Sequence, residues 1–424
     1  MAERSLAERD QAVIWHPYTQ MHNAALPIPI VKGEGVYLLA EDGRKFIDAV
    51  SSWWVNIHGH AHPYIAEKVA EQLRTLEHVI FAGFTHPSAV ELAERLLAIL
   101  PDNQKRVFYS DNGSTAVEVA LKMCFQYWSN SGKPRTKVIA FHDSYHGDTF
   151  GAMAVSARSA FTRPFEKLLF EVEFIELPNA GNIEVLKEKL SSLAPDLAAF
   201  IFEPLVQGAG GMNMYEAKYL DELLRHCKNE GILTIADEVM TGFGRTGKLF
   251  ASNHLREQAD AMCFSKGITG GTLALGLTTC TSKIYEAFLS DDKMKTLFHG
   301  HSFTANPVTC SAALASLDLL LEPNTLGDIS RIDEQHGKFL RHISNHPKVK
   351  TARHTGTILA IEWETGDDTS YFNSLRNDLY NFFLEKGIVL RPLGNIIYIM
   401  PPYCITNDQL QYIYTQIEKA LDQF

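Results

Sequence analysis

The sequence lacks the features that mark several broad classes of protein. None of its six cysteines stands in a C-x-x-C pair, so neither a disulfide framework nor a cysteine-based zinc site is expected in a chain of 424 residues. No apolar run is long enough to span a bilayer, and residues 1–10 are too charged for a signal peptide. We therefore expect a cytoplasmic protein with reduced thiols.

Positive charge is also scarce. The chain has 39 lysines and arginines against 50 acidic residues, a net charge of −11 that is spread along the sequence. Nucleic acids and anionic membranes bind basic patches, so neither is expected as a partner. Repeats, low-complexity tracts and flexible linkers are absent as well, whereas 46% of the residues are hydrophobic. This composition indicates a globular protein with a large core and closely joined domains.

Short apolar runs alternate with helical periodicities in the middle of the chain, a pattern typical of β-α units on a parallel sheet. The runs are 107–109, 138–141, 198–202, 232–236 and 261–264. Helices are predicted from Ser88 and from a capping box that starts at Thr115. The last segment predicts strands over 388–390 and 396–400, then a helix after Thr406. We expect an α/β protein with a mostly parallel central sheet flanked by helices, plus a smaller α+β domain.

Two acids and a lysine follow three of these runs. Glu203 directly follows the run 198–202, and Asp237 directly follows the run 232–236. Lys266 follows the run 261–264, with Ser265 between them. Because ligands bind at the carboxyl ends of parallel strands, we expect the three at one edge of the sheet. A lysine buried there has a lowered pKa and a nucleophilic amine; the alternative is an ordinary ion pair with one of the acids. A carboxylate such as Asp237 is what pyridoxal phosphate requires at its ring nitrogen.

A turn rich in small polar residues links the first run to the next predicted helix. In residues 110–115 (SDNGST), backbone N–H groups, hydroxyls and the helix dipole would converge on an anion such as a phosphate. Turns of this kind also carry Gly and Ser for turning and capping alone. Tyr145, beyond the run that ends at Phe141, is either a ring that stacks on a cofactor or a packed loop aromatic.

Two other patterns point to sites that we do not expect. Residues 242–247 match G-x-G-x-x-G, but the first glycine lies several residues past the strand and no clear amphipathic helix follows, so a dinucleotide site is not expected. The histidines between 58 and 62 and those at 142 and 146 lack the acidic partner of a zinc motif. We interpret them as solvated or capping residues and expect no metal site.

Two blocks closely resemble the signature of the class III aminotransferases of fold type I. They are residues 233–247 (LTIADEVMTGFGRTG) and 264–267 (FSKG). Shorter matches fall in the order that the family has, at 112–114, 145–147, 203–204 and 207–208. The resemblance covers nearly the whole chain. It implies a large cofactor-binding domain over 61–313 and a small domain over 314–424, with 1–60 contributing to the small domain and the rim of the active site.

The resemblance implies pyridoxal 5′-phosphate as the cofactor. Lys266 would be the Schiff-base lysine and the catalytic base, Asp237 would face the pyridine nitrogen, and Tyr145 would stack on the ring. The other implied cofactor contacts are Gly113, Ser114, Glu203, His301 and Ser302. Residues 300–302 match a segment that reaches the cofactor phosphate of a neighbouring subunit, which implies a homodimer with shared active sites. Here the chain has His-Ser where relatives are expected to have Pro-Thr.

Further segments resemble the branch of the family that transaminates 8-amino-7-oxononanoate in biotin biosynthesis. They are 15–19, 51–54, 57–59, 391–394 and 400–403. The resemblance implies a ping-pong mechanism with S-adenosylmethionine as the usual amino donor and lysine as the alternative. The substrate contacts that it implies are Tyr18, Trp53, Trp54, Tyr145, Lys266, Gly300 and Arg391. Arg391 would bind the carboxylate of the keto acid, since a guanidinium offers a bidentate fork; a solvent ion pair is the alternative.

Three rival functions stay open at this point. Two are enzymes on the same scaffold: an aminotransferase for another ω-amino acid, or a racemase. The third is a cofactor-binding regulator without catalytic activity. The net charge and the lack of an appended helix-turn-helix segment both argue against binding to DNA.

Overall fold

A computed structural model describes residues 4–366, 369, 371 and 373–424 of the protein. The α-helices are Leu6–Val13, Pro63–Thr75, Pro87–Ile99, Gly113–Asn130, Phe150–Ala154, Ile183–Leu193, Ala217–Asn229, Ser282–Glu286, Pro307–Leu320, Pro323–Ile343, Leu375–Glu385 and Asn407–Gln423, with a short turn at Ser51–Trp54. The 3-10 helices are Arg163–Leu168, Ala251–His254, Lys266–Thr269 and Lys293–Lys295. Within these described ranges, no helix combines the length and the apolarity needed to cross a membrane.

A seven-stranded sheet forms the centre of the molecule. Its spatial order is Gln104–Ser110, Gly276–Thr281, Ala261–Phe264, Leu233–Asp237, Leu197–Phe202, Lys137–Phe141 and Val172–Ile175. Six strands run in one direction, and Gly276–Thr281 is antiparallel to both of its neighbours. The five predicted runs are all strands of this sheet, which confirms the predicted α/β fold class. The other two strands, the interior Gly276–Thr281 and the edge strand Val172–Ile175, were not predicted.

Successive residues of the central strands pack into two different hydrophobic clusters. Phe200 and Phe202 belong to one cluster, whereas Ala199 and Ile201 belong to the other, which also takes the buried face of the helix Gly113–Asn130. Every residue of the strand Leu197–Phe202 is buried. Both faces of the sheet are therefore covered, as expected for parallel strands.

The two ends of the chain meet in one of three smaller sheets. One sheet has the order Ile30–Glu34, Tyr37–Ala40, Lys45–Asp48 and Ile388–Val389; another has the order Val349–Thr355, Ile358–Trp363 and Ile396–Ile399; a ribbon joins Val206–Gln207 to Asn213–Met214. Ile47 pairs with Ile388 in parallel register, so the amino-terminal segment shares a sheet with the carboxyl-terminal one. The domain boundaries at residues 60 and 313 stay predictions.

Two of the three predicted helix starts were displaced, whereas the start after Thr406 is confirmed, because Thr406 caps the helix Asn407–Gln423. The helix Gly113–Asn130 is capped by Asn112, whose Oδ1 accepts from the N–H of Thr115 at 3.0 Å. Glu118 does not complete a box with Thr115, because its carboxylate instead accepts from Thr149 Oγ1 at 2.6 Å and from the N–H of Gly151 at 2.7 Å. The helix predicted from Ser88 begins at Pro87, with a ring nitrogen of His86 as its cap.

Candidate active site

Lys266 lies just past the end of a central strand in a strained turn. The strand Ala261–Phe264 ends, Ser265 follows, and Lys266 opens a 3-10 helix with a φ of 46°. Its Nζ lies 4.5 Å from the centroid of a Trp54 ring. Burial lowers the pKa of Lys266 to about 8, although nearby Asp237 and Glu203 act to raise it. The amine is therefore partly neutral, and nucleophilic, near neutral pH.

The carboxylate of Asp237 is buried and held from two sides. Asp237 ends the strand Leu233–Asp237 and is 4% exposed. One oxygen lies 2.7 Å from His146 Nδ1, and the other accepts from the N–H of Val239 at 3.0 Å. His146 is itself buried, and its backbone N–H donates to Ser156 Oγ at 2.9 Å. These contacts fix the orientation of the carboxylate before any ligand binds.

Glu203 fixes the loop that carries Tyr145. Its two carboxylate oxygens accept from the N–H of Tyr145 at 3.0 Å and from the N–H of Gly208 at 2.9 Å. Burial raises the pKa of Glu203 to about 7. Burial also raises the pKa of the Tyr145 hydroxyl above its usual value. Glu203 thus acts on the site through the backbone of the loop as well as through its charge.

The amino terminus of the helix Gly113–Asn130 forms another wall of the site. A side-chain carbon at Gly113 would come within 2.8 Å of Val239 Cγ1, and one at Gly147 would come within 2.0 Å of Ser114 Oγ. Only glycine fits at either place. Ser114 Oγ accepts from the N–H of Asp148 at 3.2 Å. A helix start with close backbone packing is a suitable anion site when a ligand of matching charge is present.

These walls enclose a cavity of about 430 Å³. The predicted residues that line it are Trp54, Gly113, Ser114, Tyr145, Glu203, Asp237 and Lys266. The structure therefore brings together the lysine, both acids and the helix start that the sequence placed at the ends of different strands. His146, Gly147 and Val239 also line the cavity.

An aromatic cluster with one arginine lies at the rim of the cavity. Tyr18 donates to Asp148 Oδ2 at 2.6 Å, and its hydroxyl lies 3.4 Å from that of Tyr145. Burial and the hydrogen bond to Asp148 raise the pKa of Tyr18 to about 12. The Tyr18 ring contacts Trp53 at 5.6 Å, and the Arg391 guanidinium stacks 4.1 Å from a Trp53 ring centroid. The cluster offers a cation and apolar surface side by side.

The segment 300–302 does not line this cavity. His301 Nδ1 lies 3.1 Å from Asp111 Oδ2, and its Nε2 lies 2.9 Å from His299 Nε2. Gly300 and Ser302 are likewise outside the lining of the chain's own cavity. The contact of this segment with a neighbouring subunit's cofactor stays a prediction.

Comparison with known proteins identifies the family. The model of the family "Aminotransferase class-III" matches residues 18–421. The chain belongs to the class III aminotransferases. A relative from Synechococcus elongatus named adenosylmethionine-8-amino-7-oxononanoate aminotransferase is 48% identical over 97% of this chain and 98% of its own length. A relative of the same name from Geobacter sulfurreducens is 39% identical over 99% of this chain and 97% of its own length.

Solved structures of class III aminotransferases have the same fold. The adenosylmethionine-8-amino-7-oxononanoate aminotransferase from Methanocaldococcus jannaschii matches with a TM-score of 0.95 at 35% identity, over 99% of this chain and 98% of that one. An omega transaminase from Pseudomonas jessenii matches with a TM-score of 0.93 at 27% identity, over 99% and 98% of the two chains. The predicted fold type, the aminotransferase class and the cofactor pyridoxal 5′-phosphate are confirmed.

The residues of the cavity fit the cofactor that this aminotransferase family uses. A buried carboxylate, Asp237, suits a protonated ring nitrogen, and the tight start of the helix at Gly113 suits a phosphate. The buried amine of Lys266 lies in the same cavity and, within the described residues, makes no ion pair with either acid. Also within the described residues, no group of His, Cys, Asp and Glu is placed to hold a metal ion.

The interpretation of the histidines was wrong for two of them. His146 is buried and contacts Asp237, and His58 is buried with its Nε2 3.0 Å from Ser316 Oγ, so neither is solvated or caps a helix. Sequence reasoning also missed Asp148 and Val239. The only signal for them in the sequence was proximity to predicted residues, since Asp148 lies three residues after Tyr145 and Val239 lies two residues after Asp237.

The apoprotein should become more stable relative to its Lys266→Met variant as the pH rises from about 8 to about 10.5. The folded pKa of Lys266 is about 8 against an ordinary 10.5, so below pH 8 folding leaves a buried ammonium that the unfolded chain exposes. This difference in pKa corresponds to a change of about 3 kcal/mol in the free energy of unfolding. Denaturant midpoints of both proteins across this pH range measure it. If the stabilities of the two proteins changed with pH in parallel, the Lys266 amine would not be desolvated in the folded protein.

Proposed function

We propose that the protein transfers an amino group to 8-amino-7-oxononanoate and forms 7,8-diaminononanoate, a step of biotin biosynthesis, with pyridoxal 5′-phosphate as its cofactor. The relatives from Synechococcus elongatus and Geobacter sulfurreducens are named for an aminotransferase of this keto acid and align along nearly their full length. The cytoplasmic location expected from the sequence stays a prediction.

The observation that carries the proposal is the pairing of Arg391 with Trp53 at the rim of the cavity. Within the described residues, Arg391 makes no ion pair, and its guanidinium stacks 4.1 Å from the Trp53 ring centroid. The proposed acceptor is a long aliphatic chain with a carboxylate at one end. A guanidinium binds a carboxylate through two parallel hydrogen bonds, and the indole faces of Trp53 and Trp54 provide apolar surface for the chain.

Different residues of the cavity have different roles in amino transfer. When bound, the cofactor supplies an electron-withdrawing ring that stabilises charge on the reacting carbon. Asp237 would hold a proton at the ring nitrogen, with His146 keeping the carboxylate in place. Gly113 and Ser114 would hold the phosphate at the helix start. Lys266 Nζ is the amine that would hold the cofactor through its carbonyl group and, as a free amine, would carry the proton of the substrate carbon.

Tyr145 and Tyr18 form a chain of hydroxyl groups that leads from the cavity to Asp148. Tyr145 lines the cavity, and Tyr18 joins it to Asp148 through their hydroxyls. Both phenols stay protonated at neutral pH, because their pKa values are raised. They therefore present neutral hydroxyls rather than anions to a substrate, with the hydrogen of the Tyr18 hydroxyl donated to Asp148.

The amino donor in this proposal is S-adenosylmethionine, with lysine as the alternative. The aromatic rings of Tyr18 and Trp53, which meet edge to face, suit a cationic donor of either kind, because a sulfonium and an ammonium are both attracted to ring faces. Absorbance changes of the loaded protein on mixing with each donor in the absence of acceptor distinguish the two.

We further propose a homodimer in which residues 300–302 reach the partner's cofactor phosphate. Large apolar side chains near this segment are exposed, among them Phe298 at 66% and Phe303 at 62%. Exposed apolar surface of this kind favours a protein interface. Sedimentation of the loaded protein measures the oligomeric state.

The proposed acceptor and the role of Arg391 can be tested together. The protein should aminate 8-amino-7-oxononanoate faster than 2-oxoglutarate. Arg391→Gln should raise the KM for 8-amino-7-oxononanoate by about 10- to 100-fold, because it removes a charge-assisted hydrogen-bond pair. Initial rates with product detection by mass spectrometry measure both effects.

The control for this test is Arg44→Gln, which changes an exposed arginine that pairs with Asp42 outside the site. Its KM should equal that of the unmodified protein. Faster turnover of 2-oxoglutarate, or of another ω-amino acid's keto form, would assign the protein to a different branch of the family. An unchanged KM in Arg391→Gln would contradict the role of the guanidinium.

A further inference from the structure

The two tryptophans of the site stand on a left-handed turn without glycine. Ser51, Ser52, Trp53 and Trp54 have φ angles of 51°, 47°, 86° and 74°. Side chains on L-residues disfavour this region, and four successive residues in it are exceptional. Strain of this kind persists only where surrounding contacts hold it, and it concentrates at functional sites.

The carboxylate of Asp48 holds this turn. Asp48 is fully buried at the end of the strand Lys45–Asp48. Its Oδ1 accepts from the N–H of Ser52 at 2.9 Å and from that of Val50 at 3.3 Å, and its Oδ2 accepts from Ser52 Oγ at 2.7 Å. His60 Nε2 lies 2.9 Å from the same Oδ2. Although burial raises it, the hydrogen bonds from His60 and Ser52 bring the pKa of Asp48 below its usual value.

Hydrogen bonding also determines which nitrogen of His60 carries the proton. Asn56 Oδ1 accepts from the N–H of Gly59 at 2.7 Å, so the amide nitrogen of Asn56 faces His60 Nδ1, at 3.1 Å. Nδ1 therefore accepts, and Nε2 carries the hydrogen that is donated to Asp48. All four groups around Asp48 are donors, and only an ionised carboxylate accepts from all of them.

The turn aims both indoles at the site. Trp53 contacts Arg391 and Tyr18, and Trp54 contacts the amine of Lys266. Trp54 Nε1 donates to Tyr398 Oη at 2.9 Å, and Ser51 Oγ donates to the Met400 carbonyl at 2.7 Å. Asp48 itself does not line the cavity. Its influence on the site must pass through the turn.

We propose that Asp48 is a positioning residue for substrate binding, whose carboxylate holds the left-handed turn so that Trp53 and Trp54 present their ring faces to the keto acid. The inference rests on the proposed function for the identity of that substrate. It adds a polar cluster, the buried Asp48 with the exposed Ser52 and the partly exposed His60, on which the apolar wall of the substrate site depends.

Asp48→Asn tests the role directly. In an asparagine, an NH₂ group replaces one of the two carboxylate oxygens. This NH₂ group would face hydrogen-bond donors in either orientation of the amide, so the turn would lose part of its hydrogen bonding. We expect the KM for 8-amino-7-oxononanoate to rise about tenfold while kcat changes by less than about threefold, because the aromatic wall binds substrate without taking part in proton transfer. Hydrogen exchange over residues 50–56 should become faster in the same variant.

Asp221→Asn is the matched control. Asp221 is also a buried aspartate that accepts from two backbone N–H groups, those of Arg256 and Glu257, at 2.8 and 3.0 Å, but it lies away from the cavity. It should alter neither KM nor exchange over residues 50–56. Equal effects of the two variants on KM would overturn the proposal, since they would reflect general loss of stability.

Ser52→Gly provides a rescue, because glycine adopts positive φ without a steric penalty. In the Asp48→Asn background it should return the KM at least partway to that of the unmodified protein. A KM that does not recover would show that Asp48 acts by some route other than the turn. If Asp48→Asn fails to fold, His60→Ala removes one of the four donors at a partly exposed side chain and should raise KM in the same direction.

The experiment separates this inference from the proposed function. If the unmodified protein does not turn over 8-amino-7-oxononanoate, the proposed function fails. The KM for whichever keto acid the protein does use, together with exchange over residues 50–56, then decides the role of Asp48. Unchanged KM and exchange in Asp48→Asn would overturn the role for any substrate.

Discussion

Lys266→Ala should lower kcat by at least about 10⁴-fold, because one side chain serves both as nucleophile and as proton carrier. Lys266 is the lysine of the cavity wall, and burial has already lowered its pKa to about 8. Alanine leaves Asp237 and the helix start at Gly113 unchanged, so the cofactor should still bind. Loss of turnover together with retained cofactor absorbance, measured after gel filtration, is the expected pair of results.

An external amine should restore part of this activity. Methylamine at high concentration supplies a nitrogen base that diffuses into the space vacated by the side chain, so rates in Lys266→Ala should rise with its concentration. Lys187→Ala is the control: it removes a lysine that pairs with Glu184 and Glu222 outside the site and should leave the rate unchanged. Turnover of Lys266→Ala near that of the unmodified protein would refute the assigned role.

Asp237→Asn should lower kcat by about 10³-fold with little change in fold. The substitution keeps the shape of the side chain, and it removes the charge that holds a proton at the ring nitrogen. His146, at 2.7 Å from the carboxylate, then loses its charged partner. Single-turnover rates measured with saturating donor report the chemical step free of substrate binding.

Glu238→Gln is a matched control for this variant. Glu238 is the next residue, and its buried carboxylate accepts from the N–H groups of Ala251 and Ser252 at 3.0 and 2.6 Å, outside the cavity. Its loss should lower the free energy of unfolding without slowing the chemical step. If the two variants slowed the reaction equally, the effect at Asp237 would be structural rather than electrostatic.

The strand ends were predictable from sequence, because parallel strands buried on both faces leave a continuous apolar run that ends abruptly. Glu203, Asp237 and Lys266 each follow such a run, and the topology of parallel strands brings the ends to one edge. The strand Gly276–Thr281 was not predicted, because its sequence, GLTTCT, mixes glycine and hydroxyl side chains with few large apolar ones. Its burial depends on the neighbouring strands and not on its own composition.

Several features of the site could not be predicted, because they depend on contacts between residues that are far apart in the sequence. His146 is 91 positions from Asp237 in the chain, and nothing local marks it as a partner of a carboxylate. The left-handed turn at Ser51–Trp54 contains no glycine or asparagine, so no turn rule predicts it. The start of the helix at Gly113 was misplaced because Glu118 pairs with Thr149 and not with its own helix terminus.

The pairing of Lys45–Asp48 with Ile388–Val389 has a consequence for how the molecule is made. During synthesis, the strand Lys45–Asp48 leaves the ribosome long before its neighbour Ile388–Val389 has been made. The same holds for Ser51, whose hydroxyl donates to the carbonyl of Met400. The seven strands of the central sheet all lie between residues 104 and 281, so they are synthesised before Ile388 and Met400. The tryptophan wall of the substrate site is therefore completed last, once the segment after residue 388 has been made.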